Sequence, residues 1–291
     1  MISIVITSYY EPDTIAKAIE GFINQDIKEP YELYVCAPDD ETLNIAKRYT
    51  GVKTLKDPGT GKTNAINLVL PKLQGDVIVL SDGDVYTAND SVNKLLEPFK
   101  DEKVGCVTGR PYSINNIKKM YGYWSHLLCY AAHRLRDKRN KENKFLECSG
   151  YLWAFRNGVI KEIPRETAED TIVPCLFYLK GYRIAYVSEA KVYIEYPINL
   201  KGIIEQKTRC AKGHETLGRY VDLKKIPRMK SLKNEILGSY ILLSFMKNPR
   251  DIFYTLFLFP LRLYIWALAF FKLHMKKDEV VDGWKSITNN K

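Results

Sequence analysis

Val77-Ile78-Val79-Leu80-Ser81-Asp82-Gly83-Asp84 is the stretch whose reading decides the fold. Four apolar residues in succession, closed by a glycine-containing turn, predict a fully buried strand. The strand opens into a loop at two carboxylates, and Gly83 between them lets the backbone turn tightly. In open α/β sheets ligands bind at this edge, outside the carboxyl ends of the strands. Hard oxygen ligands there suit Mg²⁺ or Mn²⁺ carried on a diphosphate. A polar strand-to-loop turn with no ligand would use the same residues, so the decision rests on the rest of the chain.

Outward from this stretch, strands are expected at 2–7, 31–37, 52–55, 104–108 and 151–155. Helices are expected at 12–24, 41–49, 63–70 and 91–99. This alternation predicts an α/β fold with a doubly wound, mostly parallel sheet flanked by helices. A longer helix is expected over 116–136; its Trp124, His126 and His133 read as packing residues. The charged run 136–144 reads as a solvated loop. Glu169 and Asp170 open a helix to about 180, capped by Gly181, and acidic residues in a first turn are favoured by the helix dipole. Short strands are expected at 182–187 and 191–194, and a helix from about 200 carries Gln206 and Arg209.

The 291 residues, 46% of them hydrophobic, suffice for one large α/β domain plus an appendage. Cys36, Cys106, Cys129, Cys148, Cys175 and Cys210 form no Cys-x-x-Cys pair, which predicts reduced thiols. No basic-then-apolar leader precedes Ile2, so secretion is not expected. The net charge of +10 is unevenly placed: residues 207–277 hold 15 Lys/Arg and 4 Asp/Glu, leaving about −1 elsewhere. This basic quarter accompanies two apolar stretches, 236–246 and 252–271. The second is interrupted by Pro260 and Arg262, with Lys247 and Arg250 before it and Lys272, Lys276 and Lys277 after it. Twenty such residues could span a bilayer, but helices lying in an anionic membrane interface fit better. No nucleic-acid motif accompanies the charge, and nucleic acid is not an expected partner.

Lys56-Asp57-Pro58-Gly59-Thr60-Gly61-Lys62-Thr63 nearly matches a P-loop, but Lys56 stands where its first glycine is required. Gly59 and Gly61 still expose amides at a helix start, where phosphate could dock beside Lys62. With the opening Ile4-Val5-Ile6-Thr7-Ser8-Tyr9-Tyr10-Glu11, this segment resembles the family 2 inverting glycosyltransferases of GT-A fold. Asp39-Asp40, Gly61-Lys62-Thr63-Asn64-Ala65-Ile66-Asn67, Asp82-Gly83-Asp84, Cys148-Ser149-Gly150 and Glu169-Asp170 are similar to further family motifs, in family order. Gln206-Lys207-Thr208-Arg209-Cys210 resembles the Gln-x-x-Arg-Trp of polysaccharide synthases, with Cys210 replacing the Trp.

The resemblance covers about residues 1–215, the expected catalytic domain. Residues 216–291 form the expected membrane-associating part. The resemblance implies sugar transfer from a nucleotide sugar, UDP-linked by expectation, with inversion. Asp170 would be the general base, and Asp84, with Asp82, would hold Mn²⁺ or Mg²⁺. Thr7, Glu11, Asp39, Lys62, Asp82 and Arg209 would bind the donor; Ser149, Gly150, Glu169 and Gln206 would face the acceptor. The basic apolar tail predicts a lipid-linked or saccharide acceptor at the cytoplasmic face of the cell membrane. Two other functions remain open on the residues alone: a nucleotidyltransferase on a similar sheet, or a membrane-surface module without turnover.

Overall fold

The computed structural model describes residues 1–274 apart from 166, 228, 230 and 231; the expected flanking cations Lys276 and Lys277 lie outside them. In chain order the elements are β1 (Ile2–Thr7), α1 (Pro12–Ile23), β2 (Tyr31–Ala37), α2 (Asp40–Ala46), β3 (Val52–Lys56) and α3 (Lys62–Val69). The decisive stretch is β4 (Val77–Asp82), buried at every position. Then follow β5 (Tyr86–Thr87), α4 (Ser91–Leu96), β6 (Val104–Ser113), α5 (Met120–Lys141), β7 (Leu152–Arg156), α6 (Glu169–Leu179), β8 (Arg183–Ile194), α7 (Leu200–Glu215), α8 (Leu232–Gly238), α9 (Tyr240–Leu243) and α10 (Pro249–His274).

The strands form one sheet in the order β3-β2-β1-β4-β7-β6-β8-β5. β1 to β4 pair in parallel, while β7 runs against both β4 and β6. Successive side chains of a strand point to opposite faces. Ile78 and Leu80 therefore enter one core with Trp153 and Phe155, whereas Val77 and Val79 enter another with Ile4 and Ile6. Both faces are covered by helices, which is why the strand sequences are apolar throughout rather than alternating. The expected doubly wound, mostly parallel architecture is present.

Three local expectations are corrected. Residues 136–141 continue α5 instead of forming a solvated loop, because Arg136 is buried and donates to the carbonyls of Glu147 and Cys148 at 3.0 Å each. The two short strands at 182–187 and 191–194 are one strand, β8, whose register against β6 shifts between Thr108 and Arg110. β5 was not expected; it is only two residues long and exists through pairing with β8.

The last helix packs across α5 and α7. Tyr123, Trp124, Leu127, Ile203 and Leu258 form that contact, and Trp124 Nε1 donates to the Tyr254 carbonyl at 2.7 Å. His126 and His133 are likewise structural, bonded to the Asn115 carbonyl and to the Tyr186 hydroxyl. Within Pro249–Lys272 an 18-residue window has mean hydropathy 1.6, so this helix is apolar and long enough to cross a membrane by length and composition. Pro260 lies inside this helix. Arg262 is neutralised by Glu235 of α8, Nη2 to Oε2 2.8 Å, and Trp266 Nε1 also donates to Glu235.

Trp153 is fully buried and stacks on Phe155 at 5.3 Å, yet its indole N–H has no hydrogen-bond partner among the described residues. Trp153→Ala is expected to cost about 3–5 kcal/mol through the cavity it leaves. Trp153→Phe is expected to cost clearly less, because it also removes an unsatisfied buried donor. Chemical denaturation of the two variants measures the difference.

Candidate active site

Five segments converge at the carboxyl edge of β1 and β4. The register pairs Thr7 with Asp82, so the loops after both strands leave the sheet at one level. The antiparallel β7 enters at that edge, and Ser81 Oγ donates to the Tyr151 carbonyl at 2.9 Å. Its direction therefore brings Ser149 and Gly150 beside Asp82. The starts of α3 and α6 add Lys62, Glu169 and Asp170.

Lys62 is the centre of this arrangement. Its ammonium lies 2.6 Å from Asp82 Oδ1, 2.7 Å from Glu169 Oε1 and 3.2 Å from the Gly150 carbonyl, all buried or nearly so. Burial opposes the charge, but Asp82 and then Glu169 outweigh it and hold the group above the ordinary lysine range. A raised lysine value keeps the stabilising charge present at lower pH and loses it only above the folded value. Lys62 therefore stays charged at neutral pH.

The neighbouring carboxylates are also raised, which for an acid favours the neutral form. Burial, then repulsion from Asp82, raises Asp84 to about 7. Asp84 keeps part of its surface exposed, but dense surrounding protein still strips much of its water. Glu11 is raised well above the carboxylate range by burial, then by Asp84, against a hydrogen bond from Ser8 Oγ at 2.8 Å. Asp82 is raised by burial against the pull of Lys62. Gly83 is required by contact: a Cβ there would lie 2.5 Å from Ser8 Oγ and 2.7 Å from Glu11 Oε2.

Asp170 accepts from the Gly150 amide at 2.9 Å and from Thr171 Oγ1 at 3.3 Å. Asp39 caps α2 through Thr42 N at 2.8 Å and also accepts from Tyr10 N. Thr7 Oγ1 reaches the Ser81 carbonyl and Asp82 Oδ1. Arg209 of α7 acts electrostatically on both Asp82 and Asp84.

Lys62, Asp82, Ser149, Gly150, Glu169, Asp170 and Arg209 line one cavity of about 700 Å³. Thr7, Glu11, Asp39 and Asp84 stand on its β1–β4 side, outside that wall, and Gln206 does not line it. The Gln206 Oε1 atom is instead buried without a hydrogen-bond partner among the described residues. Residues not singled out in the sequence also support the site. Thr108 Oγ1 accepts from Ser149 N at 2.9 Å, and His214 stands between Thr171 and the buried Glu147. Only the adjacency of Thr171 to Asp170 was readable in advance.

Among the described residues no group of three His, Cys, Asp or Glu side chains forms a metal cage. The site fits a divalent ion of another kind. Mg²⁺ and similar ions take one or two protein carboxylates and draw their other ligands from phosphate and water. Asp84, desolvated and repelled by neighbouring acids, is a carboxylate that a cation would relieve.

The family described as "Glycosyltransferase like family 2" matches residues 1–213. The chain belongs to this family. By its description, the family is one of glycosyltransferases. Among curated proteins, the poly-beta-1,6-N-acetyl-D-glucosamine synthase of Staphylococcus aureus is 26% identical over 237 residues, covering 75% of this chain and 56% of that one. The chain therefore matches only a little over half the length of that relative. A probable glycosyltransferase of Bacillus subtilis, YdaM, is 27% identical over 304 residues, covering 93% and 71%. Among solved structures, a Pyrobaculum calidifontis mannosyltransferase in complex with GDP-Man and Mn²⁺ gives a TM-score of 0.63 at 18% identity, covering 94% of this chain and 75% of that one. The Mycobacterium tuberculosis glucosyl-3-phosphoglycerate synthase, with Mn²⁺ and UDP, gives 0.54 at 16% identity, covering 76% and 81%. These structures share the GT-A fold.

Lys62→Met would strand Asp82 and Glu169 as buried charges without their partner. The expected loss is about 3–5 kcal/mol, the scale of breaking a buried ion pair. Without Lys62 the carboxylates protonate more readily when folded, so the loss should shrink as pH falls. Thermal melts at pH 7.5 and pH 5 in chelator would check this: a deficit equal at both values contradicts the pairing.

Proposed function

We propose that this chain transfers a sugar from a nucleotide-sugar donor, UDP-linked, to a lipid-linked or saccharide acceptor, with inversion and with Asp170 as general base. The observation that carries the reading is the place of Asp170. Its carboxylate is oriented by the Gly150 amide and faces the same cavity as the Lys62–Asp82 pair. A base must lie within reach of both the acceptor hydroxyl and the donor's anomeric carbon. The alignment of residues 1–213 with family 2 supports the same reading.

In this reading Thr7, Glu11 and Asp39 bind the nucleoside, and Lys62 and Arg209 offset charge developing on the leaving diphosphate. Ser149, Gly150, Glu169 and Gln206 bind the acceptor. Asp84, with Asp82, would hold Mn²⁺ or Mg²⁺, which supplies Lewis-acid stabilisation of the leaving group. The neighbours determined with Mn²⁺ support that assignment. Residues 1–215 are the catalytic unit and 216–291 bind the cytoplasmic face of the membrane. The exposed Phe253, Leu256, Phe257 and Phe270 of α10 and the basic surplus support the latter.

Asp170→Asn is expected to keep donor binding and lose at least about 10²-fold in turnover, because the amide cannot take the proton. Asp84→Asn is expected to lose the Mn²⁺-dependent part of donor binding. Calorimetry with and without Mn²⁺, joined to an assay of nucleoside-diphosphate release, separates the two roles. Release of pyrophosphate instead would assign a nucleotidyltransferase.

Flotation of the full chain with anionic liposomes checks the membrane reading. Binding should weaken with salt yet persist through its apolar part. A chain that ignores anionic liposomes at low salt would remove the membrane from the proposal.

A further inference from the structure

Among the described residues, the cavity that ends at Asp170 is charged at that inner end and mostly apolar beyond it, with Asn234, Glu235, Ser239 and Arg262 as polar exceptions. Its outer wall is built from Leu128, Ala132 and Leu135 of α5, Ile236 of α8, and Phe259 and Leu263 of α10. Ile236, Phe259 and Leu263 are also exposed, at 57%, 38% and 54%, and belong to the apolar outer face of α8 and α10. The mouth of the cavity thus opens on the very surface that would touch a membrane. Soluble proteins rarely leave so contiguous an apolar face uncovered without a partner for it.

We propose that this cavity holds the hydrocarbon chain of an amphiphilic acceptor, entering sideways from the membrane, with its hydroxyl-bearing head at Asp170. This rests on the transfer reading above and names its acceptor. The occupant follows from the two ends of the cavity. A proton must be removed from a hydroxyl at the Asp170 end, and a mostly apolar wall awaits the rest of the molecule at the other. A free saccharide would leave that wall in water. A volume of about 700 Å³ lies within the range of pockets that enclose most of a small ligand. Arg262, which lines this part of the cavity on α10, is paired with Glu235, so its charge is compensated there.

The test needs neither donor nor turnover. Alkyl β-glucosides of six to twelve carbons, kept below their micelle concentrations, are titrated into the full chain by calorimetry, with free glucose as the head alone. Affinity is expected to rise about fourfold per methylene, the equivalent of about 0.8 kcal/mol, and then level off once the cavity is filled. Ala132→Trp fills the cavity and should lower affinity for the longer chains at least tenfold. Leu263→Glu, at an exposed position where folding is not at risk, should lower it as well. Affinity independent of chain length, or unchanged in both variants, would overturn the proposal. So would glucose binding as tightly as the longest glucoside. A dimer abolished by Ala132→Trp would assign the cavity to a second copy of the chain and overturn it too. Failure to bind any nucleotide sugar would refute the transfer reading while leaving the measured chain-length dependence standing.

Discussion

A lysine buried between two carboxylates ties the site together. Lys62 at the start of α3 joins Asp82 at the end of β4 to Glu169 at the start of α6. Each of these groups alone would be costly to bury; together they hold three loops at one distance from the sheet edge. The neighbouring Gly150 carbonyl is bound by the same ammonium, and the Gly150 amide orients Asp170. The spacing between Asp82 and Asp170 therefore depends on one cation. The arrangement is rigid because it rests on strand ends and helix starts rather than on loop tips.

The electrostatics of the edge are divided. On one side Lys62 compensates Asp82, and the pair is internally satisfied. On the other, Asp84 and Glu11 crowd each other in a desolvated space, and both are raised toward the neutral form. Acids packed this way destabilise themselves unless a cation offsets their charge, which is the basis of the proposed metal role of Asp84. The cost in stability is carried by the sheet, whose two cores are closed on both faces.

The C-terminal helices turn this catalytic body into an amphipathic object. α10 packs on α5 and α7 through Trp124, Leu127 and Leu258, while its other face presents aromatic and aliphatic side chains to solvent. The same helices that would rest on a membrane also form the outer wall of the cavity leading to Asp170. In the proposed reading, docking on a surface and admission of an acceptor would be built from the same helices.

The sequence by itself determined most of the sheet's strands, their mostly parallel pairing and the residues of the edge, because apolar runs and strand-end carboxylates are local signals. It placed Asp82, Asp84, Lys62 and Asp170 correctly at element ends. It misread 136–141 since a charged run is ordinarily solvated, and only the folded chain supplies the Glu147 and Cys148 carbonyls that receive Arg136. It could not foresee β5, which two residues cannot form without β8 beside them. Tertiary structure alone decided that Lys62 is shared by two acids, that Gln206 stands off the cavity wall, and that α8 and α10 complete the cavity. The reason is distance along the chain: contacts between residues tens to hundreds of positions apart are set by how helices close over the sheet, and no local pattern encodes that closure.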